Sequence, residues 1–261
     1  MQTKEIQGTL WSTAPSDWMK YLEPQFIPLY NAALNELDLN EDKILLDAGC
    51  GSGLFLSMAA LTGASIHGID ASDGLLEISR QRLPAINLLR EDLEALPFID
   101  SSFDVVTGFN SFQYAGNFEK AVSEAARVVK RKGTVIIGLW SREEDCEAAE
   151  VLNAVASLVP APSPGLPGPF AFSEEGSVEK VCNSLGLNLI QKEKVYAPWL
   201  FQGDDILLKA FLSTAPCAKA VKLAGEAAVK EAILESAQPF RLAKQVYYIR
   251  NHFNCFITKK N

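Results

Sequence analysis

The sequence predicts a doubly wound α/β fold, and three observations carry that reading. From residue 43 onward, short apolar runs rich in Val, Ile and Leu alternate with helical patterns. The runs are apolar along most of their length, as strands covered on both faces of a parallel sheet must be. The first run ends in a glycine-rich turn that opens straight into a helical pattern, LLDAGCGSG at 45–53. Strands separated by helices cannot pair as tight hairpins, so the sheet is mostly parallel with helices packed on both sides.

In chain order the candidate strands are ILLDA (44–48), SIHGID (65–70), INLLR (86–90), FDVVTGF (103–109) and TVIIGLW (134–140). Helical stretches at 52–62, 73–82 and 117–131 lie between them. The basic run RVVKRKG (127–133) reads as a cationic helix C-terminus closed by Gly133. The organisation changes after Trp140. A helical segment, REEDCEAAEVLNAVASL, leads into APSPGLPGPF (161–170), too rich in proline and glycine for regular structure. A helix is expected from Ser173, an N-cap followed by Glu174 and Glu175. A strand over 187–201, two helical stretches within 204–236 and a long β-prone close, VYYIRNHFNCFITKK (246–260), complete the chain. The last two strands form an antiparallel edge pair on this reading. Before the first strand, residues 1–42 form an aromatic-rich helical prelude with Trp11, Trp18, Tyr21, Phe26 and Tyr30. It either packs on the body or covers the strand C-termini, where open α/β sheets bind ligands.

Composition narrows the functional classes. The 261 residues are 48% hydrophobic and 21% charged, in the ordinary globular range. No apolar stretch is long enough for a membrane span. The start, MQTKEIQGTLW, lacks a signal peptide's apolar core and cleavage site, so a cytoplasmic address is the expectation. A net charge of −8 and a pI near 5.0 disfavour nucleic acid as a substrate. The five cysteines (50, 146, 182, 217 and 255) form no CxxC pair, and there are two histidines, so no metal is expected.

The glycine loop places bare backbone and a helix N-terminus under a ligand. Its sequence, Gly49-Cys50-Gly51-Ser52-Gly53-Leu54, departs from the dinucleotide pattern G-x-G-x-x-G at Leu54. Acids refine the choice. Asp70 ends the second strand, where a carboxylate can accept from both hydroxyls of a ribose. Asp92 follows the third strand, within reach of an exocyclic adenine amine, with the Leu93 N–H beside it. Asp47, next to the loop, would repel a pyrophosphate but suit an ammonium or sulfonium. The signs favour a cationic adenosine ligand.

Four stretches in this order, LLDAGCGSG, GIDASDGLLEISR, REDLEALPF and SFDVVTGFNSFQY, resemble the class I S-adenosylmethionine-dependent methyltransferases. They are most similar to the small-molecule methyltransferases of the ubiquinone and menaquinone kind. The resemblance covers about residues 40–140. It implies a seven-stranded, mostly parallel sheet whose last strand runs antiparallel, with helical lid elements. It also implies S-adenosyl-L-methionine as cofactor, S-adenosyl-L-homocysteine as product, and a small-molecule acceptor methylated on oxygen, nitrogen or carbon. On this resemblance Gly49 and Gly51 line the methionine part, with Asp47 near its amino group. Asp70 binds the ribose, Ala71 lies against the adenine, Asp92 and Leu93 hold the adenine edge, and Asn110 sits near the methionine moiety and the acceptor. Leu75 stands where the family commonly has methionine. The expected domain is the whole chain, 1–261, with its core at about 40–140, 173–201 and 240–260. The lid is expected from 1–40, 141–172 and 203–238.

No catalytic residue is assigned, because in-line methyl transfer can run on positioning alone. His67 in mid-strand reads as structural, His252 lies in the last strand, and with Tyr114 they are the nearest general-base types. FNSFQYAGN (109–117), past the fourth strand, is the expected acceptor contact, with Asn110, Ser111, Gln113 and Tyr114 beside Phe112. APSPGLPGPF and the helices of 204–236 are candidate pocket walls, and Trp11 and Trp18 either close over the cofactor or belong to the core. Two alternatives stand beside the enzyme. One is a non-catalytic adenosyl-ligand-binding protein; the other is an NAD(P)-dependent oxidoreductase, which Asp47 and Leu54 oppose. A second open pocket would favour the enzyme.

Overall fold

A computed structural model describes residues 3–160, 168–243 and 245–261. Ten strands are formed: β1 (Ile44–Ala48), β2 (Ser65–Asp70), β3 (Asn87–Arg90), β4 (Phe103–Phe109), β5 (Val129–Trp140), β6 (Leu187–Tyr196), β7 (Trp199–Gln202), β8 (Arg241–Ala243), β9 (Val246–Ile249) and β10 (His252–Lys260). Seven of them make one sheet in the order β3-β2-β1-β4-β5-β10-β6. The first five pair in parallel, and β10 runs antiparallel to both of its neighbours, β5 and β6. The chain winds outward from β1 to β3, then crosses back to β4 on the other side of β1. That reversal opens a crevice at the carboxyl ends of β1 and β4, the place where such sheets take ligands.

Alternation along the strands builds two cores. Leu45 and Val105 join the core on one face, while their neighbours Leu46 and Val106 join the core on the other, all essentially inaccessible or nearly so. Helix Phe118–Val128 supplies Phe118, Ala121, Val122 and Ala125 to the second core at helical spacing. Its start is set by Asn117, whose side chain accepts the Lys120 N–H. Helix Asp73–Arg82 is capped in the same way by Ser72 through Leu75.

Several elements differ from the sequence reading. RVVKRKG does not close a helix, because the helix ends at Val128 and Val129 already pairs with Phe103 as the start of β5. The ladder slips at this point, Lys132 adopts φ +62°, and two of the four basic side chains find acids: Arg127 with Glu124 and Asp100, Lys130 with Asp104. The helix expected from Ser173 begins instead at Ser177, after Gly176 at φ +81°. The hydroxyl of Ser173 is occupied by the Phe170 carbonyl, which makes that segment a turn.

The expected strand 187–201 is two strands in two sheets, divided at Ala197–Pro198, and 246–260 likewise divides at Arg250–Asn251. β7, β9 and β8 form a separate three-stranded sheet. Between β7 and β8 lie three helices rather than two, Gly203–Leu212, Ala215–Ala224 and Glu226–Ala237. Thr214 caps the second of these, and Gly225 at φ +88° separates it from the third. Most of APSPGLPGPF lies outside the described residues. No described helix is long and apolar enough to cross a membrane.

Candidate functional site

The crevice between β1 and β4 is an open cleft of about 780 Å³. Its floor is the glycine loop. The N–H groups of Gly49 and Cys50 both donate to the Ile69 carbonyl at 2.8 Å, which ties the loop to the end of β2. Gly49 turns at φ +88°, and a Cβ there would fall 2.3 Å from the Ser111 Cβ, so only glycine lets the loop pass under the end of β4. Ser111 in turn donates to the Ala48 carbonyl at 2.6 Å.

Asp70 is held by two backbone donors, Gly51 N–H on Oδ2 at 2.9 Å and Ser72 N–H on Oδ1 at 2.8 Å. Each oxygen keeps lone-pair capacity beyond these bonds, the arrangement a vicinal diol needs. Burial raises its carboxyl pKa, and the two backbone donors oppose that shift. Asp92 stands across the cleft, its Oδ1 accepting the Glu94 N–H at 2.9 Å. Gly49, Gly51, Asp70, Ala71, Leu75, Asp92, Leu93 and Asn110 all line the cleft.

Asp47 does not. It is 2% exposed beneath the loop, and β-register sets it beside Thr107, whose hydroxyl donates to Oδ1 at 2.7 Å. Burial pushes its carboxyl up from 3.8 to about 7, against the Thr107 bond and with help from Asp70 and Glu23. Asn110 leaves β4 at φ +48°, a left-handed conformation that asparagine tolerates better than most residues. Its N–H donates to Gly138 O and its Oδ1 accepts from Gln113. Phe112 and Gln113, expected at the acceptor, are turned into the interior instead.

The N-terminal helix Thr3–Trp11 lies directly over the Asp70 side of the cleft. Gly8 permits this, since a Cβ there would meet the Ala71 carbonyl oxygen at 2.3 Å. Lys4 bonds Arg90 O and Glu91, Glu5 pairs with Arg90, and Ser12 meets Ser72 at 2.8 Å. Thr3, Lys4, Gln7, Trp11 and Trp18 thereby line the cleft. Gln7 Oε1 and Trp18 Nε1 are buried without a hydrogen-bond partner among the described residues.

Further along, Glu23 is 2% exposed and reaches the other end of the glycine loop. It accepts the Leu54 N–H at 3.2 Å and pairs with Arg82 at 2.9 Å, while Arg82 also donates to Ser52 O. Burial raises the Glu23 pKa despite Arg82. Nothing in the sequence marks Glu23, because its partners lie 31 and 59 residues away.

A second chamber of about 410 Å³ adjoins the cleft, and the two share Trp11, Trp18, Phe26, Asn110 and Tyr114. Its far wall comes from Trp140, Trp199 and Phe211. The Tyr114 phenol is held well above its usual range by burial, so it keeps its proton at neutral pH. Neither histidine lines either space. His67 packs on Phe103 at 5.5 Å and His252 contacts the Asp145 carbonyl through Nδ1. No cluster of potential metal ligands occurs among the described residues.

Comparison with known proteins agrees with this geometry. Residues 46–137 match the family model described as a methyltransferase domain. Malonyl-(acyl-carrier protein) O-methyltransferase of Erwinia pyrifoliae is 36% identical over 145 residues, 56% of this chain and 52% of that protein. Demethylmenaquinone methyltransferase of Renibacterium salmoninarum is 33% identical over 97 residues, 37% of this chain and 41% of that protein. The matched segment thus spans about half the length of these relatives or less. A solved Bacillus halodurans protein shares the fold with a TM-score of 0.62 at 17% identity, over 88% of this chain and 98% of that one. Residues 46–137 are thus similar to a methyltransferase domain, and the solved neighbour shares the fold that surrounds them.

Proposed function

We propose that the protein transfers a methyl group from S-adenosyl-L-methionine to an oxygen, nitrogen or carbon of a small molecule and releases S-adenosyl-L-homocysteine. The observation that carries this is the pair of adjoining spaces, one built for an adenosyl ligand and one open beside it. A non-catalytic binder has no use for the second space, and an NAD(P) enzyme has no use for a buried acid under its pyrophosphate loop.

The residues fit the cofactor. Gly49 and Gly51 offer bare backbone, and the position of a Cβ on Gly51 meets nothing closer than Trp18 Nε1 at 3.8 Å. Asp70 takes the ribose hydroxyls, Asp92 and the Leu93 N–H the adenine edge, and Ala71 and Leu75 the adenine face. Asp47, buried and half protonated near pH 7, becomes a full anion when the amino group of the methionine part lies above it. S-adenosylmethionine, when bound, supplies a methyl group made electrophilic by its sulfonium.

The chain's own work is then positional. Asn110, fixed in its left-handed turn, holds the seam between the two spaces, and Tyr114 donates a hydrogen bond there. Trp11, Trp18 and Phe26 roof the seam and exclude water. The N-terminal segment, 203–238 and the described part of 141–172 act as the lid around a core at 40–140, 173–201 and 240–260; residues 161–167 lie outside the described residues. The net charge of −8 and the pairing of Arg127 and Lys130 with acids fit a cytoplasmic enzyme that handles small molecules rather than nucleic acid.

The test is isothermal titration with S-adenosylhomocysteine, with NAD as control. Saturable binding of the first alone, lost in Asp70→Ala, is the expected result. Binding of NAD alone would overturn the reading.

A further inference from the structure

We infer that the indole N–H of Trp18 holds the carboxylate of the cofactor's amino-acid end, so that the N-terminal segment selects the cofactor as well as covering it. The inference rests on the methyl-transfer reading above and adds a binding residue outside the 46–137 segment that matches the family model.

On that reading every polar group of the ligand has a counterpart except one. The ammonium has Asp47, the ribose has Asp70, and the adenine edge has Asp92 and the Leu93 N–H. The carboxylate has none. The loop beneath it cannot supply one from the N–H groups already spent inside the protein. Gly49 and Cys50 donate to Ile69 O at 2.8 Å, Gly51 to Asp70 at 2.9 Å, Gly53 to Cys50 O at 2.9 Å and Leu54 to Glu23 at 3.2 Å. Nor is a cation at hand. Lys4 is the one basic residue among the described lining of the cleft, and it is engaged by Arg90 O at 3.0 Å and Glu91 at 3.1 Å. Asp70, Glu91 and Asp92 line the same cleft, so an anion bound there needs a directed donor.

Trp18 is that donor. Its Nε1 is buried with no partner among the described residues, and it faces Gly51, 3.8 Å from where a Cβ would stand. Gly51 is one of the two loop glycines that line the methionine part. An indole nitrogen only donates, whereas the other unpartnered atom of the cleft, Gln7 Oε1, is an acceptor that a carboxylate would repel. Packing fixes the ring. Trp18 stacks on Phe26 at 5.8 Å and 29° and meets Trp11 edge to face at 5.0 Å and 80°. It also opens a short π-helical turn, Trp18–Leu22, an irregularity that concentrates at functional sites. A donor held in place before the ligand arrives loses little side-chain freedom on binding.

The experiment is calorimetry on the full chain at pH 7 with two ligands, S-adenosylhomocysteine and its decarboxylated analogue, which keeps the ammonium and lacks the carboxylate. Trp18→Phe keeps an aromatic ring and removes the N–H. It should weaken S-adenosylhomocysteine about tenfold or more and the analogue less than about threefold. Any general loosening of the cleft would weaken both ligands alike. A second readout uses the unaltered protein, labelled with a nitrogen isotope at its tryptophan indoles for NMR. Trp11 and Trp18 are the two tryptophans among the described lining of the cleft. One indole N–H signal should move downfield with S-adenosylhomocysteine and not with the analogue, and the same signal should still respond in Trp11→Phe.

Failure of S-adenosylhomocysteine to bind the wild type would remove the methyl-transfer reading and this inference with it. Binding that Trp18→Phe weakens equally for both ligands, or for neither, would overturn the inference alone, since the carboxylate would then lie on another donor such as the Asn110 amide. Indole signals that do not tell the two ligands apart, or a responding signal that vanishes in Trp11→Phe, would overturn it too. The indole spectrum decides the matter where Trp18→Phe fails to fold.

Discussion

Replacing Asp47 with asparagine should make the ligand-free protein more resistant to alkaline conditions. The substitution removes the charge and keeps the shape beside the Thr107 hydroxyl. Burial raises the Asp47 carboxyl from 3.8 to about 7, a gap of about three units. At about 1.4 kcal/mol per unit, ionising it in the ligand-free fold costs about 4 kcal/mol in full. Because the folded value lies above the unfolded one, this stability is fully present below pH 3.8 and is lost as pH rises through about 7. Between pH 5 and pH 8 the wild type should therefore lose about 2–3 kcal/mol that Asp47→Asn retains. Urea denaturation of both proteins at the two pH values reads the difference. Saturating S-adenosylhomocysteine should shrink it, since an ammonium above Asp47 favours the anion. Equal pH dependence in both proteins would refute the reasoning, because Asp47 would then be ionised and compensated within the fold itself.

Two further perturbations probe the loop. Gly49→Ala should cost about 2 kcal/mol or more, from the positive φ and the displaced Ser111, and should weaken S-adenosylhomocysteine at least about tenfold; thermal melts and calorimetry check both. Glu23→Ala should lower urea stability by about 2–3 kcal/mol, less than for a fully buried pair because Arg82 is 23% exposed. Glu23→Gln, which keeps an acceptor for the Leu54 N–H, should cost about half of that.

The central sheet was legible because its signals are local. A run such as ILLDA announces a buried strand by itself, and the glycines, Asp70 and Asp92 sit at strand ends that the runs define. The helix start expected at Ser173 failed for a local reason, but the other misreadings share one cause: partners far along the chain decided the outcome. RVVKRKG looks like a helix end until Phe103 claims Val129 for the sheet. Strands 187–201 and 246–260 look continuous, yet both bend at the same level, where the Ala197 N–H donates to Asn251 O at 2.9 Å. The site divides in the same way. Cleft residues on the motif were visible in the sequence, whereas Lys4 and Glu23 act through contacts 31 to 87 residues distant. The burial of Asp47 was hidden too, since its spacing gives its distance from the loop but not its depth beneath it.

The double bend has a consequence for how such a protein diversifies. The chain leaves the large sheet at Tyr196 and re-enters at His252, and those two residues are paired neighbours. Everything between is an excursion that begins and ends at one doorway, closed by the β7–β9 pair from Trp199 to Ile249. The excursion contributes Trp199, Phe211, Thr214 and Pro216 to the second chamber. It lies wholly outside the 46–137 segment that matches the family model. Those four wall positions can therefore be exchanged as a cassette, by recombination or by design, while the glycine loop, Asp70 and Asp92 stay as they are.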